Sequence, residues 1–197
     1  WWNFWHCCEI NRFLWIFLIF ITCIFLTCGV KADLNQNLIK EFQQGGKLIF
    51  IRHAYAPGSG DPKNFNLNDC STQRNLNDSG REQSKNIGNF FSRHNIKINK
   101  VYSSEWCRCK ETAFIAFERF ETKKFLNSFY SPQFAKNRKK QVKKFQEFIN
   151  NWNKKDNLIF VTHYVFISEI LNYAPSSGEI IITDKNFNIV DTLEIEY

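Results

Sequence analysis

The 197-residue sequence predicts an α/β protein built as a three-layer α/β/α sandwich around a mostly parallel sheet. Short apolar runs of strand length, bounded by turn-forming residues, alternate with longer stretches in which apolar residues recur at helical spacing. Such alternation is typical of parallel strands joined by helices that cover both faces of the sheet. The length fits one domain with a sizeable core, and no internal repeat or long linker divides it.

The first strand of the predicted domain is Lys47–Arg52. Its apolar core is bounded by two glycines on one side and by a Gly- and Pro-rich loop on the other, which is typical of a buried strand. Leu34–Gln44 before it is predicted to be a short helix. Ala54–Asn77 after it is a polar connection too long for an idle turn in a compact domain, so we expect it to form part of the functional site.

The remaining elements are predicted from the same two periodicities. Helices are expected at Asp78–Arg93, Glu105–Phe120, Gln133–Trp152 and residues 163–172, and strands at Lys100–Ser103, Lys123–Phe129, Asn157–Thr162, Glu179–Thr183 and Ile189–Tyr197.

The N-terminal segment reads as a targeting sequence. Phe13–Thr27 is apolar and free of charge, and Val30-Lys31-Ala32 after it has the small-residue spacing of a signal-peptidase site. We therefore expect residues 1–32 to be a signal peptide cleaved after Ala32, residues 33–197 to be the mature domain, and the protein to be periplasmic or secreted. An uncleaved membrane anchor is the alternative, because the apolar run extended to Val30 has 18 residues, close to the minimum span.

Three cysteines lie in the predicted mature domain. In an oxidising compartment we expect Cys70 to pair with Cys107 or Cys109. A zinc site is disfavoured, because Cys-x-Cys is not the usual structural spacing and no nearby histidine completes a ligand set. The net charge of +7 owes much to Lys136–Lys144, which has no interleaved aromatic residues, so nucleic-acid binding is not expected.

Three of the predicted strands end in side chains that suit an anion. Arg52 and His53 end the first strand, Ser104 follows the second with Arg108 at the start of the next helix, and His163 follows another. Ligands of open α/β sheets bind at the carboxyl ends of the strands, so we expect these groups to share one crevice. Two arginines and two histidines make a pocket matched to a phosphoryl dianion.

Four segments follow one another along the chain, and three of them contain these residues: Ile51-Arg52-His53-Ala54, Arg74-Asn75-Leu76 with Gly80 and Gln83, Ser103–Ala113, and Val161-Thr162-His163. In this order they resemble the RHG, PLTxxGxxQA, SSPLxRxxETA and second-histidine motifs of the histidine phosphatase (phosphoglycerate mutase-like) superfamily. The resemblance implies a phosphoglycerate mutase-like fold and no cofactor or metal. It also implies that His53 is the nucleophile that becomes phosphohistidine, while Arg52, Arg108 and His163 bind the phosphoryl oxygens.

The sequence departs from this pattern at the turn after the nucleophile and at the general acid. Ala54 replaces the usual glycine, which should keep the turn if its φ is negative. The mutase-like glutamate has no counterpart at Leu126-Asn127-Ser128, and Tyr164 stands where acid-phosphatase-like members place an acid. The candidates for the proton donor are therefore Asp61 and Asp69 in the long loop, and Glu179 at a later strand.

We expect a metal-independent phosphomonoester hydrolase that acts on a small phosphorylated substrate. The missing mutase glutamate and the predicted leader argue against a phosphoglycerate mutase. Two alternatives stay open: a phosphohistidine protein phosphatase, as some short relatives are, and a catalytically silent phosphate-binding protein on the same scaffold. Membrane contact is expected only through the N-terminal segment, if it is not cleaved.

Overall fold

A six-stranded sheet in the order β3-β2-β4-β1-β5-β6 carries the site. The computed structural model describes residue 36 and residues 39–196. The strands are β1 (Leu48–Arg52), β2 (Lys100–Ser103), β3 (Glu121–Thr122), β4 (Leu158–Thr162), β5 (Ile180–Thr183) and β6 (Ile189–Leu193).

The centre of the sheet is parallel. β1 pairs with β4, β4 with β2 and β2 with β3 in parallel register, whereas β5 runs antiparallel to β1 and β6 antiparallel to β5. Arg52 lies opposite Thr162 in the β1–β4 register, so these two strands end side by side. The predicted mostly parallel sheet is therefore confirmed.

Helices cover both faces of this sheet. The five α-helices described are α1 (Asp78–Arg93), α2 (Cys107–Phe117), α3 (Pro132–Ala135), α4 (Arg138–Asn150) and α5 (Tyr164–Leu171), with short 3-10 helices at Cys70–Thr72 and Lys124–Leu126.

One core cluster joins strand residues such as Phe50 and Phe160 to Phe145 of α4 and Phe166 of α5. Because side chains alternate along a strand, Ile49 of β1 faces the opposite layer, where α1 and α2 pack together. The three-layer sandwich is thus confirmed.

Besides the predicted strand Ile189–Tyr197, which ends at Leu193, three predicted elements differ from the structure. Lys123–Phe129 is not a strand, because β3 is only Glu121–Thr122 and a 3-10 helix follows, whose Leu126 carbonyl accepts the Thr162 hydroxyl at 2.6 Å. Gln133–Trp152 is not one helix. It divides into α3 and α4, since Phe134 of α3 packs on Trp106 near the site whereas Phe145 of α4 packs on the sheet.

The third difference lies in the predicted helix Glu105–Phe120, which is shorter in the structure. It begins at Cys107 and ends at Phe117, where Glu118 adopts a left-handed φ of 57° and closes the last turn.

The predicted leader lies outside the described residues, and so does most of the predicted helix Leu34–Gln44. Residues 39–43 of that helix are helical. In the part of the chain that the structure describes, no helix combines the length and apolar character needed to cross a membrane.

Candidate active site

The carboxyl ends of β1, β2 and β4 meet at one cavity of about 160 Å³. Backbone hydrogen bonds join the tips of the strands, because His53 N donates to Thr162 O at 2.9 Å and Ser104 N donates to Val161 O at 3.0 Å. The cavity is lined by Arg52, His53, Arg108 and His163, the four residues that the sequence singled out. The two imidazole rings lie 5.5 Å apart between centroids.

The geometry fixes the tautomer of His53. Its Nδ1 lies 2.8 Å from the carbonyl oxygen of Ala54, and since a carbonyl only accepts, Nδ1 carries the proton. Nε2 then holds a lone pair, and Arg108 Nε donates to it at 3.2 Å. Burial and then the Arg108 charge hold the pKa of His53 well below its ordinary value. His53 is therefore a neutral imidazole with a lone pair on Nε2, the form that a nucleophile requires.

The opposite tautomer fits His163. Its Nε2 lies 2.8 Å from Ser104 Oγ, and because that hydroxyl gives its proton to Asn127 Oδ1 at 3.1 Å, the histidine is the donor. Nδ1 of His163 then carries the lone pair and faces Arg108, whose Nη2 lies 3.5 Å away. Burial and then Arg108 also lower the pKa of His163 well below its ordinary value. The ring is held neutral until an anion arrives to stabilise its protonated form.

Arg52 reaches the cavity from the end of β1. Nη1 donates to the carbonyl of Pro175 at 2.8 Å, and the guanidinium carbon lies 5.6 Å from the centroid of the Tyr164 ring. Its Nε is buried and has no hydrogen-bond partner among the described residues. A phosphoryl oxygen would supply the acceptor that this donor lacks.

Arg108 is held by the long loop as well as by α2. Its guanidinium makes two hydrogen bonds to the Asp61 carboxylate, Nη1 to Oδ1 at 2.8 Å and Nη2 to Oδ2 at 3.3 Å. Trp106 Nε1 also donates to Oδ2 at 3.1 Å. Burial alone would raise the pKa of Asp61, but the hydrogen bonds and charge of Arg108 outweigh it and leave that pKa below its ordinary value.

The other two candidate acids lie outside the cavity lining. Asp69 is exposed and accepts hydrogen bonds from the backbone and hydroxyl of Ser71, so it caps the short helix Cys70–Thr72. Glu179 is buried, but its two oxygens accept from the Tyr173 hydroxyl and from Ser176 N, both at 2.6 Å. Both carboxylates hold local backbone, and only Asp61 among the three candidates faces the cavity.

Arg74 is a further cavity residue that was not singled out from the sequence. Its side chain donates to the carbonyls of Gly60 (2.9 Å) and Ala56, which fixes the guanidinium beside Asp61. Burial and then Arg108 lower its pKa to about 10, so Arg74 stays charged at neutral pH. Arg74 lies in one of the four motif segments, but it follows no strand end, so the rule that brought the other pocket residues together did not single it out.

Cys70 and Cys107 form a disulfide that joins the long loop to the start of α2. Cys109 is free and buried, with Sγ 3.5 Å from His163 Nε2. Burial raises the pKa of its thiol to about 12, so it stays protonated at neutral pH. The disulfide therefore links the loop that carries Asp61 directly to the start of the helix that carries Arg108.

The remaining motif residues are structural. Gly80 lies so close to the backbone of Tyr55 that an added Cβ would come 2.0 Å from its carbonyl oxygen. Gln83 accepts from Tyr55 N at 2.9 Å. Ala54, whose φ is not positive, donates its N–H to Thr112 Oγ1 at 3.1 Å. These contacts hold the chain just after His53 against α1 and α2, so the alanine is tolerated where the motif has glycine.

The pocket thus combines a histidine lone pair with arginines at the strand ends, the groups that bind and attack a phosphoryl group. The family model of the histidine phosphatase superfamily (branch 1) matches residues 48–128, which include His53, Asp61 and Arg108. Over these residues the chain is similar to the histidine phosphatase superfamily. No curated protein matches it in sequence.

Solved structures share its fold. SixA from Agrobacterium tumefaciens, a candidate phosphohistidine phosphatase, is 14% identical over 75% of this chain and 97% of its own, with a TM-score of 0.53. The protein histidine phosphatase SixA complexed with tungstate is 14% identical over 76% of this chain and 96% of its own, with a TM-score of 0.52. A candidate α-ribazole-5'-P phosphatase from Escherichia coli K-12 is 16% identical over 76% of this chain and 96% of its own, with a TM-score of 0.55. The phosphoglycerate mutase-like fold is therefore established.

Proposed function

We propose that this protein hydrolyses small phosphate monoesters through a covalent phosphohistidine at His53, without a metal ion. The observation that carries the proposal is the lone pair of His53 Nε2, which belongs to a neutral imidazole and lies within 3.2 Å of Arg108 Nε. A neutral nitrogen nucleophile beside fixed cationic groups is what attack on a phosphoryl dianion requires.

In the first step, His53 Nε2 forms a bond to phosphorus while the bond from phosphorus to the ester oxygen breaks. Arg52, Arg74 and Arg108 stabilise the charge on the equatorial oxygens. His163 takes up a proton as the dianion binds and then donates a hydrogen bond to it. These groups supply the positive charge that a metal ion provides in other phosphoryl-transfer sites, which is why we propose metal independence.

Asp61 is the proposed general acid. The bound dianion competes for Arg108 and repels the carboxylate, so it weakens the two contacts that keep the Asp61 pKa low. Asp61 then holds a proton and gives it to the leaving oxygen as the ester bond breaks. Asp69 and Glu179 are not proposed for this role, because their carboxylates are bonded outside the cavity.

In the second step, water attacks phosphorus and the bond from phosphorus to Nε2 breaks. The Asp61 carboxylate accepts a proton from that water and so regains the proton that it lost. His53 returns to a neutral imidazole, with its Nδ1 proton still shared with the carbonyl of Ala54. Inorganic phosphate leaves, and Asp61 and His163 release to the solvent the protons that they took up from it when the substrate bound.

A second candidate function is the dephosphorylation of phosphohistidine in another protein. It is favoured by the fold similarity to two SixA structures, one of them of a protein histidine phosphatase. The two functions share the His53 chemistry and differ in the leaving group, which is an alcohol oxygen in one case and an imidazole nitrogen in the other.

We also propose that the protein is exported, through the apolar segment Phe13–Thr27. The disulfide Cys70–Cys107 supports this, since such bonds persist mainly in oxidising compartments. Fractionation of cells that produce the protein tests it. Recovery of the protein in the cytosolic fraction, with both cysteines reduced, would contradict export.

The catalytic proposal is tested by trapping the intermediate. The purified protein is mixed with an aryl phosphate, quenched in base and digested, and mass spectrometry should locate a phosphoryl group on the peptide that contains His53. EDTA should leave turnover unchanged. Absence of turnover with retained phosphate binding would support the silent binding protein instead, and faster turnover of a phosphohistidine peptide than of any monoester would favour the second candidate.

A further inference from the structure

A second cavity, of about 300 Å³, lies beside the cavity at the strand ends, which we call the phosphate pocket. Ser128 lines both cavities, so they adjoin. The residues that line the second cavity are mostly aromatic, amide or basic: Phe65, Trp106, Phe125, Phe134, Asn127, Gln141, Lys124, Lys140 and Lys144 are among them. No described residue that lines it carries a carboxylate.

Three aromatic rings form one wall of this cavity. Phe65 stacks on Trp106 with centroids 5.1 Å apart, and Phe134 meets both rings edge-on at 5.6 and 5.5 Å. Trp106 also belongs to the phosphate site, because its indole N–H binds Asp61 and its ring lies 5.4 Å from that of His163. Asp61, the proposed proton donor, is thus hydrogen-bonded to the same indole that forms part of the wall.

Three lysines also line the cavity. Lys140 and Lys144 lie four residues apart on α4 and so share a face of that helix, and Lys124 lies on the neighbouring 3-10 helix. In the part of the chain that the structure describes, none of these three lysines makes an ion pair. Their charge is available to an anionic group that enters the cavity.

We propose that this cavity holds the leaving group of the substrate, and that this group is an aromatic or apolar body that ends in an anion. The inference rests on the proposed function, since it takes the phosphoryl group to lie at His53 and the leaving oxygen at Asp61. The phosphate pocket of about 160 Å³ has room for little beyond the phosphoryl group, and the adjoining cavity reaches the size of small-molecule sites. The aromatic wall would receive the apolar body, and the lysines its anionic end.

The test measures binding rather than turnover. (4-Carboxybenzyl)phosphonate and its neutral match (4-carbamoylbenzyl)phosphonate are titrated into the protein by calorimetry. We expect the carboxylate to bind more tightly, and K140E/K144E to reduce that preference by about fivefold, because two exposed ion pairs are replaced by repulsion. K139E/K143E changes the net charge equally on the same helix and should leave the preference intact, since Lys139 and Lys143 do not line the cavity.

A third ligand, methylphosphonate, has the phosphonate group without a ring, so comparison with it measures the contribution of the aromatic wall to binding. Phe134→Ala should weaken binding of both benzyl phosphonates and leave that of methylphosphonate unchanged. Equal affinity of wild type for the carboxylate and the carboxamide would overturn the inference, and so would equal effects of the two double variants. Displacement of the carboxybenzyl ligand by an acidic peptide without a phosphoryl group would also overturn it, because the cavity would then be a peptide site.

Failure of the proposed function gives a different result. A protein that hydrolyses no phosphomonoester, yet prefers the carboxylate ligand and loses that preference in K140E/K144E, would contradict the catalytic proposal while supporting the leaving-group cavity.

Discussion

The strand ends and the long loop Ala54–Asn77 build the same pocket by different means. Arg52, His53 and His163 sit at the tips of two neighbouring parallel strands, whose backbone ladder continues to His53 N. Asp61 and Arg74 belong to a loop without long regular structure, and they are held by side-chain hydrogen bonds and by the disulfide at Cys70.

The difference indicates a division of labour. The strand ends place the phosphate ligands rigidly, because a shift of any one of them would break the register of the central sheet. The loop supplies Asp61, whose contacts to Arg108 can be exchanged for a bound phosphoryl group without disturbing the sheet. We infer that the strand ends provide the nucleophile and charge, and that the loop provides the proton.

The largest expected effect is at a strand end. His53→Ala should lower kcat for an aryl phosphate by at least about 1000-fold, because it removes the nitrogen that we propose to form the covalent bond to phosphorus. Steady-state kinetics with p-nitrophenyl phosphate measure this. Asp69→Asn serves as the control and should retain full activity. Turnover by the His53 variant at the wild-type rate would refute the covalent mechanism.

The next effect separates the two aspartates of the loop. Asp61→Asn should lower kcat by about 100-fold for alkyl phosphates and much less for nitrophenyl phosphate, since only the poor leaving group needs a proton. A plot of log kcat against leaving-group pKa should be steeper for this variant than for wild type. Asp69→Asn and Glu179→Gln should leave the slope unchanged. An equal loss for all leaving groups would mean that Asp61 acts by positioning Arg108.

The attachment of the loop is tested through the disulfide. Cys70→Ser should lower the free energy of unfolding by about 4 kcal/mol, because a loop closed over 37 residues gains freedom in the unfolded chain. Urea denaturation measures it. Dithiothreitol should bring wild type down to the level of Cys70→Ser and have no effect on the variant. Equal stability of wild type with and without the reductant would show that the bond contributes nothing.

The smallest effect concerns pH and the strand-end histidines. Burial and the Arg108 charge lower the pKa of both His53 and His163, so below about pH 6.5 the unfolded chain binds more protons than the folded one. Their contribution to stability is therefore complete above about pH 6.5 and is lost as the pH falls, with a slope of about 1 kcal/mol per pH unit for each histidine.

Urea denaturation between pH 5 and pH 8 measures this slope. His53→Asn/His163→Asn should flatten it, whereas His94→Asn, outside the pocket, should not. A slope unchanged by the double variant would mean that the two pocket histidines are not held neutral in the folded protein.

Much of the frame was predictable because it depends on local pattern. The bounds of α1, Asp78–Arg93, and of β2, Lys100–Ser103, were obtained from apolar periodicity and turn residues alone. The convergence of Arg52, His53, Arg108 and His163 followed from the rule that parallel strands end at one edge of a sheet. The segment 123–152 was misjudged because its apolar residues pack in two directions, some on Trp106 and others on the sheet.

The sequence by itself determined the central parallel strands, the proposed nucleophile and the positive charge of the pocket, since each follows from residues in or next to a strand. Only the tertiary structure decided which carboxylate lines the pocket, which cysteine Cys70 joins and that Arg74 and the lysine-lined cavity flank the site. Asp61 and Asp69 are equivalent by sequence, and they differ only in that Arg108 and Trp106 reach one of them across 47 and 45 residues of chain. Contacts between segments so far apart depend on packing, to which local periodicity gives no access.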